Sequence, residues 1–245
     1  TTPQSTSRTA SWCWAGIWWG RLTKDKICNT IEDGRSEEFE LREDVLLLNG
    51  LSVPILSALS YPVAPTISLK HTLKSIPKDK LLSNVFAMAE WLDEQELLGS
   101  MALDYRIKSF ASIEAKYNRY VNSDLQVRKV FNDILGFRGF CGNYDDVLSI
   151  DYPGFRVADM TQGKANDDGY RGVHIYFQLD GRHYPIEIQF NTFYDRQLNN
   201  WLHDYLYKKN YPNLVGKRMR EYYEGGDIRN ESEFVEVLGR VLSDC

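Results

Sequence analysis

The stretch Asp168–Gln189, DGYRGVHIYFQLDGRHYPIEIQ, decides the fold. It reads as a tight turn, a strand, a two-residue hairpin turn at Asp180-Gly181, and a second strand, because Asp-Gly between β-rich runs is a strong short-range hairpin signal. Side chains alternate along a strand, so Tyr170 and His174 share one face of the first strand, and Glu187 and Gln189 share one face of the second. An aromatic ring, an imidazole, a carboxylate and an amide can therefore converge on one sheet face. A carboxylate among Ile and Phe is either a surface residue or a site residue, and this company suits a site for nucleotide and metal.

The flanking sequence supplies the rest of an α/β (mixed) fold, a mixed β-sheet flanked by helices. Residues 109–121 predict a helix with Ser109 as N-cap, and residues 123–132 predict another. FRGFCG begins a strand, DVLSI reads as a short helix and FRVADM as a strand. Helices follow over residues 191–208 and 231–243. Upstream, SEEFELREDVLLL (36–48) reads as a helix with a Ser N-cap and early acids, and residues 78–98 as an amphipathic helix ending at Gly99. Pro54, Pro62 and Pro65 argue for loop or extended chain over 53–68. The expected organisation is an N-terminal extension, 1–75, Trp-rich, partly irregular and disordered at its head, followed by the main domain, 76–245.

Of the 245 residues 43% are hydrophobic, which supports a packed core rather than disorder. The net charge of -5 exerts no global pull toward nucleic acid or membrane. No apolar run reaches the roughly 20 residues of a membrane span, so no membrane partner is expected. Cys13, Cys28, Cys141 and Cys245 form no CxxC pair and read as reduced thiols in a cytoplasmic protein. Trp12, Trp14, Trp18 and Trp19 either cap the core or form an aromatic docking segment. The sequence lacks a signal-peptide pattern and does not begin with Met, which reads as a processed or trimmed product.

Two further constellations carry charge. In RIKSFASIEAKYNRY, Ser112, Lys116 and Arg119 fall on one helix face, with Arg106 and Lys108 just before it. Cations at a helix start suit a polyphosphate, and the competing reading is a solvated basic face. In DILGFR, Asp133 lies near Gly136 and Arg138; paired with Glu187 it gives two carboxylates for Mg²⁺, which uses one or two carboxylates plus substrate phosphates. No His/Cys cluster suggests zinc, and His174 and His203 are too far apart in sequence to be judged as ligands. No GxxxxGK[ST], strand-linked GxGxxG or GxSxG occurs, so phosphate chemistry here must use side-chain cations.

RIKSFASIEAKYNR, DILGFRGF, DGYRGVHIYF, IEIQFNT and NNWLHDYLYK, in that order over about residues 100–210, resemble the synthetase domain of the RelA/SpoT family. The resemblance implies a nucleotidyltransferase-like fold and transfer of the β,γ-pyrophosphate of ATP to a nucleotide 3′-hydroxyl. By resemblance, Arg106 and Arg138 sandwich the adenine of ATP, and Lys108, Ser112 and Lys116 hold its phosphates. Asp133 and Glu187 bind Mg²⁺, and Glu187 takes the proton of the attacking hydroxyl. Tyr170 stacks on the acceptor base, with His174, Gln189 and Lys164 on the acceptor side. No HHxxxED-type motif is present, so a short, synthetase-only member without hydrolase activity is expected.

Three positions depart from the family pattern. Its Asn-Gly-Tyr turn is Asp168-Gly169-Tyr170 here, and its Gln-Ile-Arg-Thr is Gln189-Phe190-Asn191-Thr192. The loop TQGKANDDG offers one lysine, Lys164, and two acids, Asp167 and Asp168, which would repel the phosphates of a GDP or GTP acceptor. The leading expectation is an ATP-dependent pyrophosphokinase making (p)ppGpp from GDP or GTP. The alternatives are a toxin that pyrophosphorylates the 3′ end of tRNA, with a neutralising antitoxin protein as partner, an enzyme making adenosine alarmones, and a catalytically dead nucleotide sensor. A basic cluster, Lys208, Lys209, Lys217, Arg218 and Arg220, is either a tRNA contact or a solvated helix face. A homo-oligomer is compatible with the family's size range.

Overall fold

A computed structural model describes residues 44–243. The Trp-rich segment, Cys13, Cys28 and Cys245, and most of the helix expected over 36–48 lie outside the described residues. The described chain runs α1 (Asp44–Leu48), α2 (Val53–Ala58), α3 (Lys78–Asp93), α4 (Glu96–Ser100), β1 (Asp104–Ile107), α5 (Phe110–Tyr120), α6 (Val127–Val130), β2 (Leu135–Phe140), α7 (Asp145–Leu148), β3 (Phe155–Asp159), β4 (Val173–Phe177), β5 (Ile186–Asn191), α8 (Phe193–Tyr205), α9 (Asn213–Glu224) and α10 (Glu231–Ser243). The five strands form one mixed sheet in the order β1-β2-β5-β4-β3. Only the β2–β5 pairing is parallel.

Strand alternation separates the two faces of this sheet. Leu135, Phe137, Ile175, Phe177, Ile186, Ile188 and Phe190 are buried in a core shared with α2, α3, α5 and α6. The intervening residues lie on the opposite face, where the charged and polar side chains gather. A second buried cluster, built from Leu198, Leu202, Val215, Met219, Phe234 and Val237 among others, joins α8, α9 and α10.

Several local expectations are corrected. The β4–β5 connection is not a two-residue turn: Phe177 pairs with Ile186, so residues 178–185 link the strands. The link is long because it pairs elsewhere. Val63 N–H donates to the Arg182 carbonyl (2.7 Å) and Tyr184 N–H to the Tyr61 carbonyl (3.1 Å), while Asp180 turns inward to accept from Arg182 N–H. Proline is harmless in a first helical turn, where the missing N–H has no partner to lose; Pro54 sits there in α2, behind the Ser52 N-cap, so residues 53–58 are helical rather than loop. Leu51, Leu56, Leu59, Val63, Ile67 and Leu73 all enter the same core as the strands. The helix expected over 78–98 breaks at Glu94-Gln95, and Gly99 lies inside α4 rather than ending a single helix. The helix expected over 123–132 shrinks to α6. That expected over 191–208 ends at Tyr205, with a 3₁₀ turn at Tyr207–Lys209. The short helix α7, the strands β2 and β3, and α10 stand where the sequence put them.

Candidate active site

The register of the sheet sets out the polar face in rows. Arg106, Gly136, Glu187, Tyr176 and Arg156 lie side by side across β1, β2, β5, β4 and β3. The next row is Asp104, Arg138, Gln189, His174 and Ala158. Gly136 leaves a gap in the first row: a side chain there would meet the Glu187 carboxylate within van der Waals reach (3.6 Å).

On the β1–β2 side, three charges interlock. β1 ends at Ile107 and hands the chain to α5, whose N-cap Ser109 accepts from Ser112 N–H. Lys108 thus lies at the strand end and Lys116 on the second turn of the helix, and both reach Asp133. Lys108 Nζ donates to Asp133 Oδ2 (2.8 Å) and Lys116 Nζ to Oδ1 (2.9 Å). Burial pulls the Lys108 ammonium below its ordinary value, while Asp133 pushes it back up. An ammonium carries three donors, so each lysine keeps hydrogen bonds to offer a phosphate. Ser112 is exposed and bonded only locally, to Ser109. Arg119 is exposed at the far end of the helix.

On the β4–β5 side, a chain of hydrogen bonds runs through the residues singled out from the sequence. Gln189 Nε2 donates to Glu187 Oε2 (2.8 Å), Glu187 Oε1 meets His174 Nδ1 (3.1 Å), and His174 Nε2 meets the Tyr170 hydroxyl (2.7 Å). Burial alone would raise the Glu187 pKa, yet the His174 contact and charge, with hydrogen bonds from Gln189 and Tyr176, bring it down from 4.5 to about 2. A carboxylate held that low is a standing anion, suited to hold a cation or to orient His174, and a weak proton acceptor. Burial pushes the Tyr170 phenol up to about 12, so it stays a neutral donor.

The turn carrying Tyr170 is built from far along the chain. Gly169 adopts φ +86°, open to glycine. It also packs so closely on Gly216 of α9 that a Cβ on either residue would collide with the other segment's backbone. Arg220 of α9 is 1% exposed. Its Nε donates to the Gly169 carbonyl (2.8 Å) and its Nη1 to Asp195 Oδ1 (2.6 Å). Asn191 and Asn199 both donate to the Arg171 carbonyl, and the Tyr207 hydroxyl to that of Asp168 (3.2 Å). Arg220, read from sequence as part of an exposed basic cluster, is therefore an interior clamp. Lys208, Lys209 and Lys217 are exposed, and Lys208 pairs with Asp204. α9 as a whole went unread in the sequence.

The two loop acids are also corrected. Asp167 forms a two-pronged pair with Arg171 (2.8 and 3.1 Å), which holds it below the usual carboxylate range despite its partial burial. Asp168 pairs with Lys164 (2.8 Å). Neither acid stands free to repel an incoming phosphate. The Lys164 ammonium also lies 4.9 Å from the Tyr170 ring centre.

Sequence reasoning missed Tyr176, Arg156 and Arg196. Tyr176 faces the site by the same alternation as His174, and the Arg156 guanidinium lies 4.2 Å from its ring centre; the HIY and FRV spacing could have found both.

Asp133 and Glu187 supply hard oxygen donors of the kind Mg²⁺ takes, with both Asp133 oxygens here paired to lysine ammoniums. No group of three or more His, Cys, Asp and Glu able to hold a metal occurs among the described residues. Such an ion would therefore need substrate phosphates as further ligands, which is how Mg²⁺ is ordinarily held.

No family model and no curated protein matches the chain. Solved structures do. Small alarmone synthetase 1 from Bacillus subtilis bound to its product pppGpp is 24% identical, with a TM-score of 0.38 over 65% of this chain and 88% of that one. Small alarmone synthetase 2 from Bacillus subtilis is 23% identical, with a TM-score of 0.37 over 66% and 96%. A GTP pyrophosphokinase family protein from Streptococcus pneumoniae is 19% identical, with a TM-score of 0.36 over 68% and 91%. No described helix is long and apolar enough to cross a membrane.

Proposed function

We propose that this chain is a RelA/SpoT-type pyrophosphokinase that transfers the β,γ-pyrophosphate of ATP to the 3′-hydroxyl of GDP or GTP. One observation carries the reading. A cation–carboxylate knot (Lys108, Lys116, Asp133) stands where β1 ends and β2 begins, and a carboxylate–imidazole–phenol chain (Glu187, His174, Tyr170) runs along the polar face of the same sheet. Beside Glu187 is the gap at Gly136. The order and spacing of the five sequence motifs support the same reading.

Phosphoryl transfer asks chiefly for alignment and neutralised charge. Arg106 and Arg138 flank the Gly136 gap from β1 and β2 and would hold the adenine. Lys108 and Lys116, pre-aimed by Asp133, would bind the polyphosphate and leave little side-chain entropy to be lost on binding. Asp133 and Glu187 would hold Mg²⁺, which when bound neutralises phosphate charge and makes a hydroxyl more acidic. His174 is fixed in orientation by Glu187 and keeps Nε2 toward the Tyr170 hydroxyl, where the acceptor would lie. Tyr170 would offer its ring to the acceptor base. With Asp167 and Asp168 each paired to a cation, the acceptor loop no longer disfavours a nucleotide bearing its own phosphates, which supports GDP or GTP over an RNA end.

The test is transfer of label from γ-labelled ATP with Mg²⁺, offering GDP, GTP, ATP alone and deacylated tRNA in parallel. Label on GDP or GTP is expected. Label confined to tRNA or to an adenosine nucleotide overturns the acceptor, and no transfer to any of them overturns the activity.

A further inference from the structure

Arg196 lies in the first turn of α8 and is only 9% exposed. Its Nη2 donates to the Gly139 carbonyl (3.0 Å), and its guanidinium carbon lies 4.9 Å from the centre of the Phe140 ring. Phe140 follows Gly136 and Arg138 on the polar face of β2, and stands beside Asn191 of β5. Arg196 therefore borders the Tyr170 end of the site, since Asn191 also reaches the Tyr170 hydroxyl (3.4 Å).

Its charge is unanswered. No carboxylate pairs with Arg196 among the described residues, and its Nε is the one buried side-chain polar atom there without a hydrogen-bond partner. The neighbouring acid, Asp195, is taken by Arg220, Tyr144 and Thr192. The other charge close by is Arg138, which repels it; Asp104 lies farther across the row and is exposed. A buried guanidinium with an unused donor is costly to fold and would be better replaced by Met. Such a group is well made for an anion, because its planar N–H fork matches phosphate oxygens.

We propose that Arg196 seats a phosphate attached to the 5′ side of the nucleoside whose 3′-hydroxyl reacts, in GDP or GTP. This rests on the pyrophosphokinase reading for its choice of ligand, but it is tested by binding alone. The site takes the acceptor's phosphate rather than those of ATP, because the ATP-side cations, Lys108 and Lys116, lie at the other end of β2, around Asp133.

The experiment is calorimetric titration without ATP, using GDP, guanosine, and a short RNA ending in a 3′-hydroxyl, on wild type, Arg196→Met and Arg196→Lys. Arg196→Met is expected to weaken GDP binding roughly 10- to 100-fold, the loss of one or two charge-assisted hydrogen bonds. Guanosine binding should be unchanged, and Arg196→Lys should fall between. The melting temperature of ligand-free Arg196→Met should hold or rise, because an uncompensated charge has been removed. If the loss falls on the RNA and not on GDP, the phosphate seat stands but its source is a polynucleotide. If GDP and RNA bind Arg196→Met as they bind wild type, or if its ligand-free melting temperature falls while binding is kept, Arg196 is structural and the proposal is overturned. Absence of label transfer in wild type that still binds GDP through Arg196 would instead remove the pyrophosphokinase reading.

Discussion

Replacing Arg220 by Leu tests how the acceptor side of the site is held. The guanidinium is 1% exposed and serves Asp195, Gly169 and Asn199 at 2.6, 2.8 and 3.3 Å. Its loss strands the buried Asp195 carboxylate, an effect of about 3–5 kcal/mol. At about 2–4 °C per kcal/mol for a domain of this size, the melting temperature should fall by roughly 6–20 °C. The Gly169 carbonyl loses its donor in the same step, so the turn bearing Tyr170 loosens. A displacement of about 1 Å there is enough to cost on the order of 10²-fold in rate. The acceptor Michaelis constant should rise well above its wild-type value while that for ATP changes little, since the ATP-side residues share no hydrogen bond with Arg220. The double variant Arg220→Leu/Asp195→Leu removes both charges and should recover most of the lost stability, because a buried pair replaced by apolar residues is near neutral. It should not recover acceptor binding. A melting-temperature loss under about 3 °C, or a double variant no more stable than the single one, would refute the claim that this pair is a desolvated clamp.

Three further outcomes are expected. Glu187→Gln should keep the folded far-UV circular dichroism spectrum and reduce transfer at least ~10²-fold, measured by AMP release; near-normal turnover would remove Glu187 from the chemistry. Gly216→Ala should raise the acceptor Michaelis constant and speed amide exchange over residues 167–171, because its Cβ would strike the Asp168 backbone; unchanged exchange would show the contact to be slack. Burial, then the charges of Asp146 and Asp195, push the Cys141 thiol from 9.0 up to about 12. The folded chain then binds the more protons between those values, so this contribution to stability is full below pH 9.0 and lost as pH rises toward about 12. Native Cys141 should resist alkylation at pH 8 and react once urea unfolds the chain, read by peptide mapping.

The central hairpin was legible in the sequence because period-two alternation is a local signal, and it placed His174, Glu187 and Gln189 on one face without tertiary knowledge. The Ser109-capped helix carrying Lys116 was legible for the same reason. What failed was non-local. Asp180-Gly181 looked like a tight turn, but residues 182–184 pair with Tyr61 and Val63, more than a hundred positions away, and that pairing sets the length of the link. Pro54 was read as a helix breaker because the rule against proline lapses only in a first turn, and Ser52 two residues before it is the N-cap that makes it one. Arg220 looked like one basic residue of five, since charge in a sequence carries no sign of burial.

The burial of Arg220 has a consequence for how the site works. Asp133 and its two lysines lie at the end of β1, on α5 and just before β2, a run of about thirty residues whose apolar side chains join the first core. The Tyr170 turn is instead held by α8, α9 and the 3₁₀ turn at Tyr207–Lys209, whose apolar side chains form a cluster of their own. Parts of a fold that rest on separate clusters can loosen separately. Damage to α9 or α10 should therefore surface first as weaker acceptor binding, with the ATP side unchanged. Amide exchange under mild denaturant would show it: residues 167–171 should exchange together with α9, ahead of β2 and β5. Simultaneous exchange of all four segments would mean that the two clusters unfold as one unit and that acceptor binding cannot be tuned apart from global stability.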